Sequence, residues 1–262
     1  MAAAARAVMT VVVMAGALAT GAATASAEPP PPSTRIVGGA DAADGAYPYQ
    51  VSLRDGGQHF CGGSVIGAQW ILTAGHCLEG HAPSSIQVVA GSNTLNAGGT
   101  ALAVERYTIH ENYHYNVVGT VSNDIAVLKL RTPLGYTPRI QPVALSDLPE
   151  LLGGSATVTG WGLTSATGQT SNALQQATTT VMPVATCALR YGTGVVDILR
   201  NICTYTGYDG ASTCTGDSGG PLVQNGRQIG IVSFSANCSP RYPSVYTNVG
   251  FYRLWINART GI

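Results

Sequence analysis

The segment from Cys214 to Pro221 restricts the fold and chemistry of this chain more than any other part of the sequence. It reads Cys-Thr-Gly-Asp-Ser-Gly-Gly-Pro and places Ser218 among small residues, directly after an aspartate. Glycine adopts positive φ readily and lets other groups approach the main chain closely. We therefore expect a tight turn that exposes the hydroxyl of Ser218 and directs the amides of Gly216 and Ser218 at one oxygen atom.

A serine in such a turn is a weak nucleophile unless a base lies beside it and a third group orients that base. Two converging amides would form an oxyanion hole, which stabilises the charge that develops on a carbonyl oxygen during acyl transfer. The segment therefore predicts a histidine and a buried carboxylate elsewhere in the chain. The alternative is a glycine-rich turn in which the serine has no chemical role.

The composition is consistent with a β-rich protein. The 262 residues are enough for one large all-β domain or two small ones. They include 33 glycines and 14 prolines, which suit many short strands joined by tight turns. The formal net charge is zero and only 10% of the residues are charged, so the composition does not predict nucleic-acid binding.

The first 27 residues have the pattern of a secretory signal peptide. Arg6 precedes an apolar run over residues 7–19, and Ala25-Ser26-Ala27 is a small-residue cleavage site. The run is shorter than the roughly 20 apolar residues that a membrane-spanning helix needs, so we expect no membrane anchor. We predict cleavage after Ala27 and an extracellular protein, in which the six cysteines, an even number, can form three disulfides.

Three segments resemble the catalytic motifs of the chymotrypsin/trypsin family of secreted serine endopeptidases. They are the nucleophile motif above, Leu-Thr-Ala-Gly-His-Cys over residues 72–77, and Ser-Asn-Asp-Ile-Ala-Val over residues 122–127. The second motif has Gly75 where alanine is usual. The resemblance spans residues 35 to about 257. It implies that Ser218 is the nucleophile, His76 the base and Asp124 the group that orients the base, with Gly216 and Ser218 forming the oxyanion hole.

By the same resemblance the fold is all-β, with two six-stranded antiparallel β-barrels, the active site in the cleft between them and a short C-terminal helix. Residues 36–262 would form the peptidase domain, in which the first barrel covers about 36–135, the second about 150–248 and the helix about 249–259. Residues 131–149 would connect the barrels. The spacing of Phe251, Leu254 and Trp255 also predicts an amphipathic helix at this end, and Gly261 would terminate it.

Residues 28–35 form a proline-rich leader that ends in Arg35 and precedes Ile-Val-Gly-Gly, which resembles the activation junction of the family. Cleavage after Arg35 would release an ammonium group on Ile36, and the resemblance implies that it pairs with Asp217. A buried charge that loses its partner is strongly unfavourable, so the cleavage would shape the oxyanion turn. The pairing usual in the family implies three disulfides, Cys61–Cys77, Cys187–Cys203 and Cys214–Cys238.

The resemblance also places Ser212, six residues before the nucleophile, at the floor of the primary specificity pocket. A neutral serine cannot offset the desolvation of a Lys or Arg side chain. Ser233, Phe234, Ser235 and Ser244 would form the walls, and the serines at 235 and 244 stand where wide pockets have glycine. We expect cleavage after Phe, Tyr or Leu, with small apolar residues as the alternative, because pockets of this kind discriminate weakly between apolar side chains.

An enzyme with this preference would cleave slowly after its own Arg35, so we expect a separate trypsin-like protease to activate it. The other expected partners are protein or peptide substrates and proteinaceous inhibitors, and the enzyme would be a monomer without a cofactor. Calcium-binding members of the family carry acidic ligands in the loop around residues 90–93. Here no Asp or Glu occurs between Glu79 and Glu105, so we expect no metal site.

The pattern His-Glu-x-x-His, typical of zinc proteases, occurs from His110 to His114. That chemistry needs both histidines on one face of a helix. The strand-like residues 107–109 and the lack of a helical period after them instead predict a strand followed by a surface loop. A zinc endopeptidase is therefore a weaker alternative. A non-enzymatic binding relative of the fold is also a weaker alternative, because no member of the triad is missing. We expect His59 and His81 to be structural or surface residues.

Overall fold

The computed structural model describes Met1 and residues 36–115, 121–147, 153–165, 167–192, 194–208 and 210–262. The predicted signal peptide beyond Met1 and the leader up to Arg35 lie outside these residues. Of the helices that are described, none has the length and apolar character needed to cross a membrane. In chain order the elements are β1 (Ala40–Asp41), β2 (Gln50–Asp55), β3 (Gln58–Gly67), β4 (Trp70–Thr73), β5 (Ile86–Ala90), β6 (Thr100–Ile109), β7 (His114–Tyr115), β8 (Val121–Ser122), β9 (Ala126–Leu130), β10 (Ala144–Leu145), β11 (Ser155–Gly160), β12 (Gln175–Met182), α1 (Val184–Tyr191), β13 (Asn201–Tyr205), β14 (Pro221–Gln224), β15 (Arg227–Phe234), β16 (Ser244–Asn248) and α2 (Arg253–Thr260).

The first barrel closes in the strand order β2-β3-β4-β9-β6-β5, and all its pairs are antiparallel. Its strands are rich in β-branched and aliphatic residues, which favour a pleated, buried surface. Ile71 and Leu72 on β4 and Leu128 on β9 are fully buried in its core. This core fixes the ends of β4 and β9, from which the chain continues to His76 and, in the reverse direction, to Asp124.

The second barrel runs β12-β11-β14-β15-β16-β13 and closes through pairing of β12 with β13. Val158, Leu222, Val232 and Tyr246 are buried in its core. The short strand β10 pairs in parallel with β15 from outside the barrel, so residues 131–149 also contribute a strand. The predicted all-β fold with two six-stranded antiparallel barrels is confirmed.

Residues 36–41, which are predicted to belong to the first barrel, lie against the second. Ile36 is fully buried in the core of the second barrel. Ala40 and Asp41 pair with Gln176 and Gln175 on β12. In this position the segment buries the side chain of Ile36 and pairs its backbone groups with β12, and both contacts stabilise it.

The C-terminal helix α2 begins at Arg253, four residues after the start of the predicted range, because residues 249–252 form turns. Gly261 ends it in the left-handed conformation, with φ 76°, as predicted. Ile256 on α2 packs into the core of the first barrel.

Helix α1 was not predicted, because it has eight residues and buries only Cys187. The structure contains the three predicted disulfides, Cys61–Cys77, Cys187–Cys203 and Cys214–Cys238.

Candidate active site

His76 lies in the turn that follows β4, and the Cys61–Cys77 disulfide ties this turn to β3. Leu78 N donates a hydrogen bond to Gly75 O at 3.1 Å and closes the turn. A Cβ atom at Gly75 would lie only 3.0 Å from the ring of Tyr113. The glycine that departs from the family motif therefore leaves room for Tyr113 beside the turn.

Asp124 lies between β8 and β9 and is buried. The residue before it, Asn123, has φ 52°, a conformation that asparagine tolerates better than most residues. This turn aims the carboxylate of Asp124 at His76. One oxygen, Oδ2, lies 2.8 Å from His76 Nδ1 and accepts a hydrogen bond from Ser233 Oγ at 2.5 Å. The other, Oδ1, accepts the His76 backbone amide at 2.9 Å.

The electrostatics of this pair favour a charged aspartate and a basic imidazole. Burial works against the protonated form of His76, but the charge of Asp124 and the hydrogen bond to it outweigh burial and raise the pKa of His76. Burial also works against ionisation of Asp124, but His76 and the hydrogen bond from Ser233 outweigh it and lower the pKa of that carboxyl. Because an ionised carboxylate only accepts hydrogen bonds, the proton of a neutral His76 sits on Nδ1 and leaves Nε2 as the base.

Ser218 lies in a turn whose backbone is held by contacts to the first barrel. Gly216 and Gly219 have φ 96° and 78°, and a Cβ atom at Gly219 would lie 2.1 Å from Thr73 Oγ1. Gly62 N on β3 donates to Ser218 O at 2.7 Å. Within the described part of the chain the amides of Gly216 and Ser218 donate no hydrogen bond, so both remain available to a ligand.

A cavity of about 560 Å³ opens between the barrels and is lined by His76, Gly216 and Ser218 together. The structure thus brings His76 and Asp124 into direct contact and places Ser218 on the same cavity as His76. In chemical terms this is a hydroxyl, a base held by a carboxylate, and two free amides around a space that a peptide bond can enter.

Asp217, beside Ser218, is fully buried. Its Oδ1 accepts Gly162 N at 2.8 Å and its Oδ2 accepts Cys214 N at 2.9 Å. Burial raises its pKa to about 7 despite these two amides. Among the described residues none forms an ion pair with Asp217, so its carboxyl has no cationic partner in this part of the chain.

Of the residues predicted for the specificity pocket, Ser233, Phe234 and Ser235 line the cavity. Ser212 and Ser244 are buried and do not line it. Both contact Thr213, and Thr213 lines the cavity. Ser212 Oγ donates a hydrogen bond to Thr213 O at 3.2 Å, and Ser244 Oγ accepts one from Thr213 N at 3.1 Å.

Thr213 is not among the residues predicted for the pocket, although its position directly after Ser212 could have indicated it. Ser235 Oγ donates to Thr213 O at 2.7 Å and so joins the two walls of the pocket. The described lining contains no Asp or Glu. The described lining therefore offers no carboxylate to a cationic side chain of a substrate.

His59, which is predicted to be a structural or surface residue, has a structural role. Its Nδ1 lies 2.9 Å from Ser52 Oγ and its Nε2 lies 3.0 Å from Gly216 O. Burial lowers its pKa to about 4, so the ring is neutral at physiological pH. His59 on β3 therefore holds the carbonyl of one of the two oxyanion-hole candidates, a role that only the folded structure reveals.

The His-Glu-x-x-His pattern forms a strand end and a turn, as predicted, and not a helix. Glu111 accepts a hydrogen bond from Trp255 Nε1 at 2.9 Å and another from Arg259, and His110 packs against the ring of Trp255. The pattern thus anchors α2. Among the described residues, one group of three possible metal ligands converges, and two of its members are the disulfide-bonded sulfurs of Cys61 and Cys77 beside His76.

Comparison with known proteins agrees with this geometry. The family model described as Trypsin matches residues 36–256. Trypsin alpha-4 of Lucilia cuprina is 39% identical over 224 residues, which cover 85% of this chain and 86% of that protein. Trypsin alpha of Drosophila erecta is 39% identical over 226 residues, covering 85% and 86%. Chymotrypsin-2 of Vespa crabro is 42% identical over 222 residues, covering 84% and 98%. The chain therefore belongs to the trypsin family of serine endopeptidases.

Proposed function

We propose that the chain is secreted as a precursor and, once cut after Arg35, hydrolyses peptide bonds through an acyl-enzyme formed on Ser218. In this proposal His76 is the general base and acid, and Asp124 orients it. The observation that carries the proposal is the hydrogen bond between His76 Nδ1 and Asp124 Oδ2, made at the edge of the cavity that Ser218 also lines. We further propose that the mature enzyme is an extracellular monomer whose partners are protein substrates and proteinaceous inhibitors.

In the first step the Oγ of Ser218 bonds to the scissile carbonyl carbon while its proton moves to Nε2 of His76. The carbonyl oxygen becomes an oxyanion, which the amides of Gly216 and Ser218 stabilise; loss of one such donor typically costs about 10²- to 10³-fold in rate. The carbon–nitrogen bond then breaks, and His76 returns the proton to the departing amine. Water repeats the sequence on the ester, which releases the acid and restores the hydroxyl.

The proposed activation involves Ile36 and Asp217. The buried carboxyl of Asp217 has no cationic partner among the described residues, which supports the proposal that a new ammonium group on Ile36 completes the pair. Ile36 already lies in the core of the second barrel. Because the described lining of the cavity has no carboxylate to pair with an arginine, we assign cleavage after Arg35 to a separate trypsin-like protease.

For the primary specificity we propose an uncharged apolar residue before the scissile bond, either Phe, Tyr or Leu or a smaller aliphatic residue. The absence of a carboxylate from the described lining supports the exclusion of Lys and Arg. The hydrogen bond from Ser235 to Thr213 O favours the smaller residues, because it holds the walls of the pocket together. The relatives are named trypsin in some cases and chymotrypsin in another, so their names do not decide between these specificities.

The deciding experiment treats the processed enzyme with a serine-directed acylating reagent and, separately, with a strong metal chelator. We expect the acylating reagent to abolish hydrolysis of peptide substrates and the chelator to have no effect. Ser218→Ala should lose nearly all turnover, and the matched control Ser155→Ala, at an exposed position at the start of β11, should keep it. Activity that survives acylation, or that persists in Ser218→Ala, would overturn the proposal.

A further inference from the structure

Tyr113, within the His-Glu-x-x-His pattern, lies where the turn of the proposed base meets the carboxylate that orients it. A Cβ atom at Gly75 would lie 3.0 Å from the Tyr113 ring and 3.4 Å from Asp124 Oδ1. This oxygen is the one that accepts the backbone amide of His76. The ring of Tyr113 therefore packs beside the contact between His76 and Asp124, and it can do so because residue 75 has no side chain.

The backbone that carries Tyr113 is tied to the turn that carries the carboxylate. Tyr113 N donates to His110 O at 2.8 Å and closes the turn over residues 110–113. Asn123 Nδ2 donates to Asn112 O at 2.7 Å, and Asn123 directly precedes Asp124. Because Tyr113 is fixed through one turn and packs against the other, it restricts the movement of the two turns relative to each other.

The hydroxyl of Tyr113 holds a second carboxylate near the base. It donates a hydrogen bond to Glu79 Oε2 at 3.1 Å. Burial, the charge of Asp124 and the hydrogen bond to Glu79 raise the pKa of Tyr113, so the hydroxyl remains a donor at neutral pH. Glu79 is exposed and lies three residues after His76 in the same turn. An exposed glutamate has considerable rotamer freedom, and this hydrogen bond restricts it.

The charge of Glu79 acts on the imidazole together with that of Asp124. Burial works against the protonated form of His76, whereas both carboxylates favour it. Of the other groups nearby that can titrate, Tyr113 is neutral at neutral pH and His81 has its own carboxylate partner. An imidazolium forms when the base takes the proton of the nucleophile, so a fixed negative charge near the ring stabilises the transition state.

We propose that Tyr113 and Glu79 are positioning residues for the base: the ring of Tyr113 holds the turns of His76 and Asp124 together, and its hydroxyl fixes the carboxylate of Glu79 near the imidazole. Gly75 is the residue that gives the ring its place. The inference rests on the proposed function, because it requires His76 to take a proton during the reaction.

The test measures kcat and KM of the processed enzyme for one peptide substrate from pH 5 to pH 9. Active sites are counted with a serine-directed acylating reagent, so that the amount of folded enzyme does not affect kcat. The variants are Glu79→Gln, Tyr113→Phe, which keeps the ring, and the combination of both. The matched controls are Glu105→Gln and Tyr136→Phe, which make the same changes at exposed positions elsewhere.

At low ionic strength Glu79→Gln should lower the acid midpoint of kcat/KM by about 0.3 pH unit, the size of an exposed charge interaction. The shift should disappear in 1 M salt, where the Debye length is about 3 Å. Tyr113→Phe should give a smaller shift in the same direction, because Glu79 remains but is free to move. The combined variant should shift no further than Glu79→Gln, since the hydroxyl acts through that carboxylate. Both controls should keep the wild-type midpoint.

The substitution Gly75→Ala tests the ring of Tyr113. The added Cβ forces the ring away from the turn, and kcat should fall by about three- to tenfold with KM unchanged, because reacting groups must be held to about 0.5 Å. In a Tyr113→Ala background the same substitution should lower kcat by less than about twofold. The 3.1 Å contact of the added Cβ with Ile109 Cγ2 is present in both backgrounds, so the difference belongs to Tyr113.

An unchanged midpoint in Glu79→Gln at low ionic strength, or an equal shift in Glu105→Gln, would overturn the role of Glu79. An unchanged midpoint in Tyr113→Phe, or the same loss of kcat from Gly75→Ala with and without the Tyr113 ring, would overturn the role of Tyr113. A different result would refute the proposed function itself: a wild-type enzyme that the acylating reagent does not inactivate.

Discussion

In the uncut precursor the carboxyl of Asp217 should make the fold less stable as pH rises, and cleavage after Arg35 should remove this dependence. Burial raises the pKa of Asp217 in the folded precursor to about 7, whereas the ordinary value is 3.8. Between these two values the folded chain holds a proton that the unfolded chain has lost. The free energy of unfolding of the precursor therefore falls as pH rises from about 4 to about 7.

The difference between about 7 and 3.8 corresponds to about 4 kcal/mol, present below pH 4 and lost above pH 7. This is a large share of the roughly 5–15 kcal/mol that stabilises a typical domain. In the processed chain the ammonium of Ile36 would pair with the carboxylate, lower its pKa and remove this loss. Pairing also raises the pKa of the ammonium above its unfolded value of about 7.7 to 8.0, so the gain from the pair is complete at pH 7 and is lost only at higher pH.

The measurement is urea unfolding at pH 5, 6, 7 and 8 with the disulfides intact. Two inactive chains are compared: Ser218→Ala cut after residue 35, and Ser218→Ala with Arg35→Gln, which stays uncut. We expect the stability of the cut chain relative to the uncut chain to increase by about 2 to 3 kcal/mol from pH 5 to pH 7. Groups common to both chains, such as His59 and His76, cancel in this difference. A difference that is constant with pH, or that shrinks from pH 5 to pH 7, would refute the assigned role of Asp217.

Three further predictions concern the cleft. His59→Ala removes the contact with Gly216 O. We expect kcat/KM for a peptide substrate at pH 8 to fall by about tenfold or more, which is the effect of losing one buried hydrogen bond. An unchanged kcat/KM would show that activity does not need this contact. Ser235→Gly removes the hydrogen bond to Thr213 O. In a panel of peptides that differ only in the residue before the scissile bond, we expect the ratio of kcat/KM for Phe to kcat/KM for Ala to rise by about tenfold. A constant ratio would mean that another feature sets the width of the pocket. Asp124 raises the pKa of His76. In a plot of kcat/KM against pH, the loss of activity on the acid side should therefore have its midpoint above pH 6.5. A midpoint below pH 6.5 would contradict the pairing of His76 with Asp124.

The fold and the glycine-rich turn around the proposed nucleophile could be predicted from the sequence, because both depend on short motifs with strict local requirements. A glycine-rich turn around Ser218 needs positive φ, and the structure has it at Gly216 and Gly219. The strand before His76 and the end of the last helix at Gly261 are likewise indicated by local signals. The pairing of the cysteines is a feature of the family pattern. Each of them appears in the structure at the residue where the sequence indicates it.

The remaining features depend on contacts between residues distant in the chain, and no local pattern encodes them. His59 is one of five histidines in the sequence and becomes distinctive only when β3 brings it 3.0 Å from Gly216 O, 157 positions away. Ser212 is predicted for the floor of the pocket and Ser244 for a wall. In the structure both are buried, and their hydroxyls are used in hydrogen bonds to Thr213. The side chain that a pocket exposes is decided by such competition and not by position in a motif.

The proposed triad is divided between the barrels, so its geometry depends on how the two barrels are joined at the cleft. Asp124 belongs to the first barrel, yet its carboxylate accepts Ser233 Oγ and its carbonyl accepts Thr247 Oγ1 at 2.7 Å, both from the second barrel. In return, Gly62 of the first barrel binds the carbonyl of Ser218 at 2.7 Å. A hydrogen bond of this kind contributes about 1 kcal/mol to stability, which is small beside the apolar cores. Hydrogen bonds are directional, however, and a reacting constellation must be held to about 0.5 Å. The apolar cores therefore stabilise each barrel, whereas a few polar contacts across the cleft set the positions of the reacting groups.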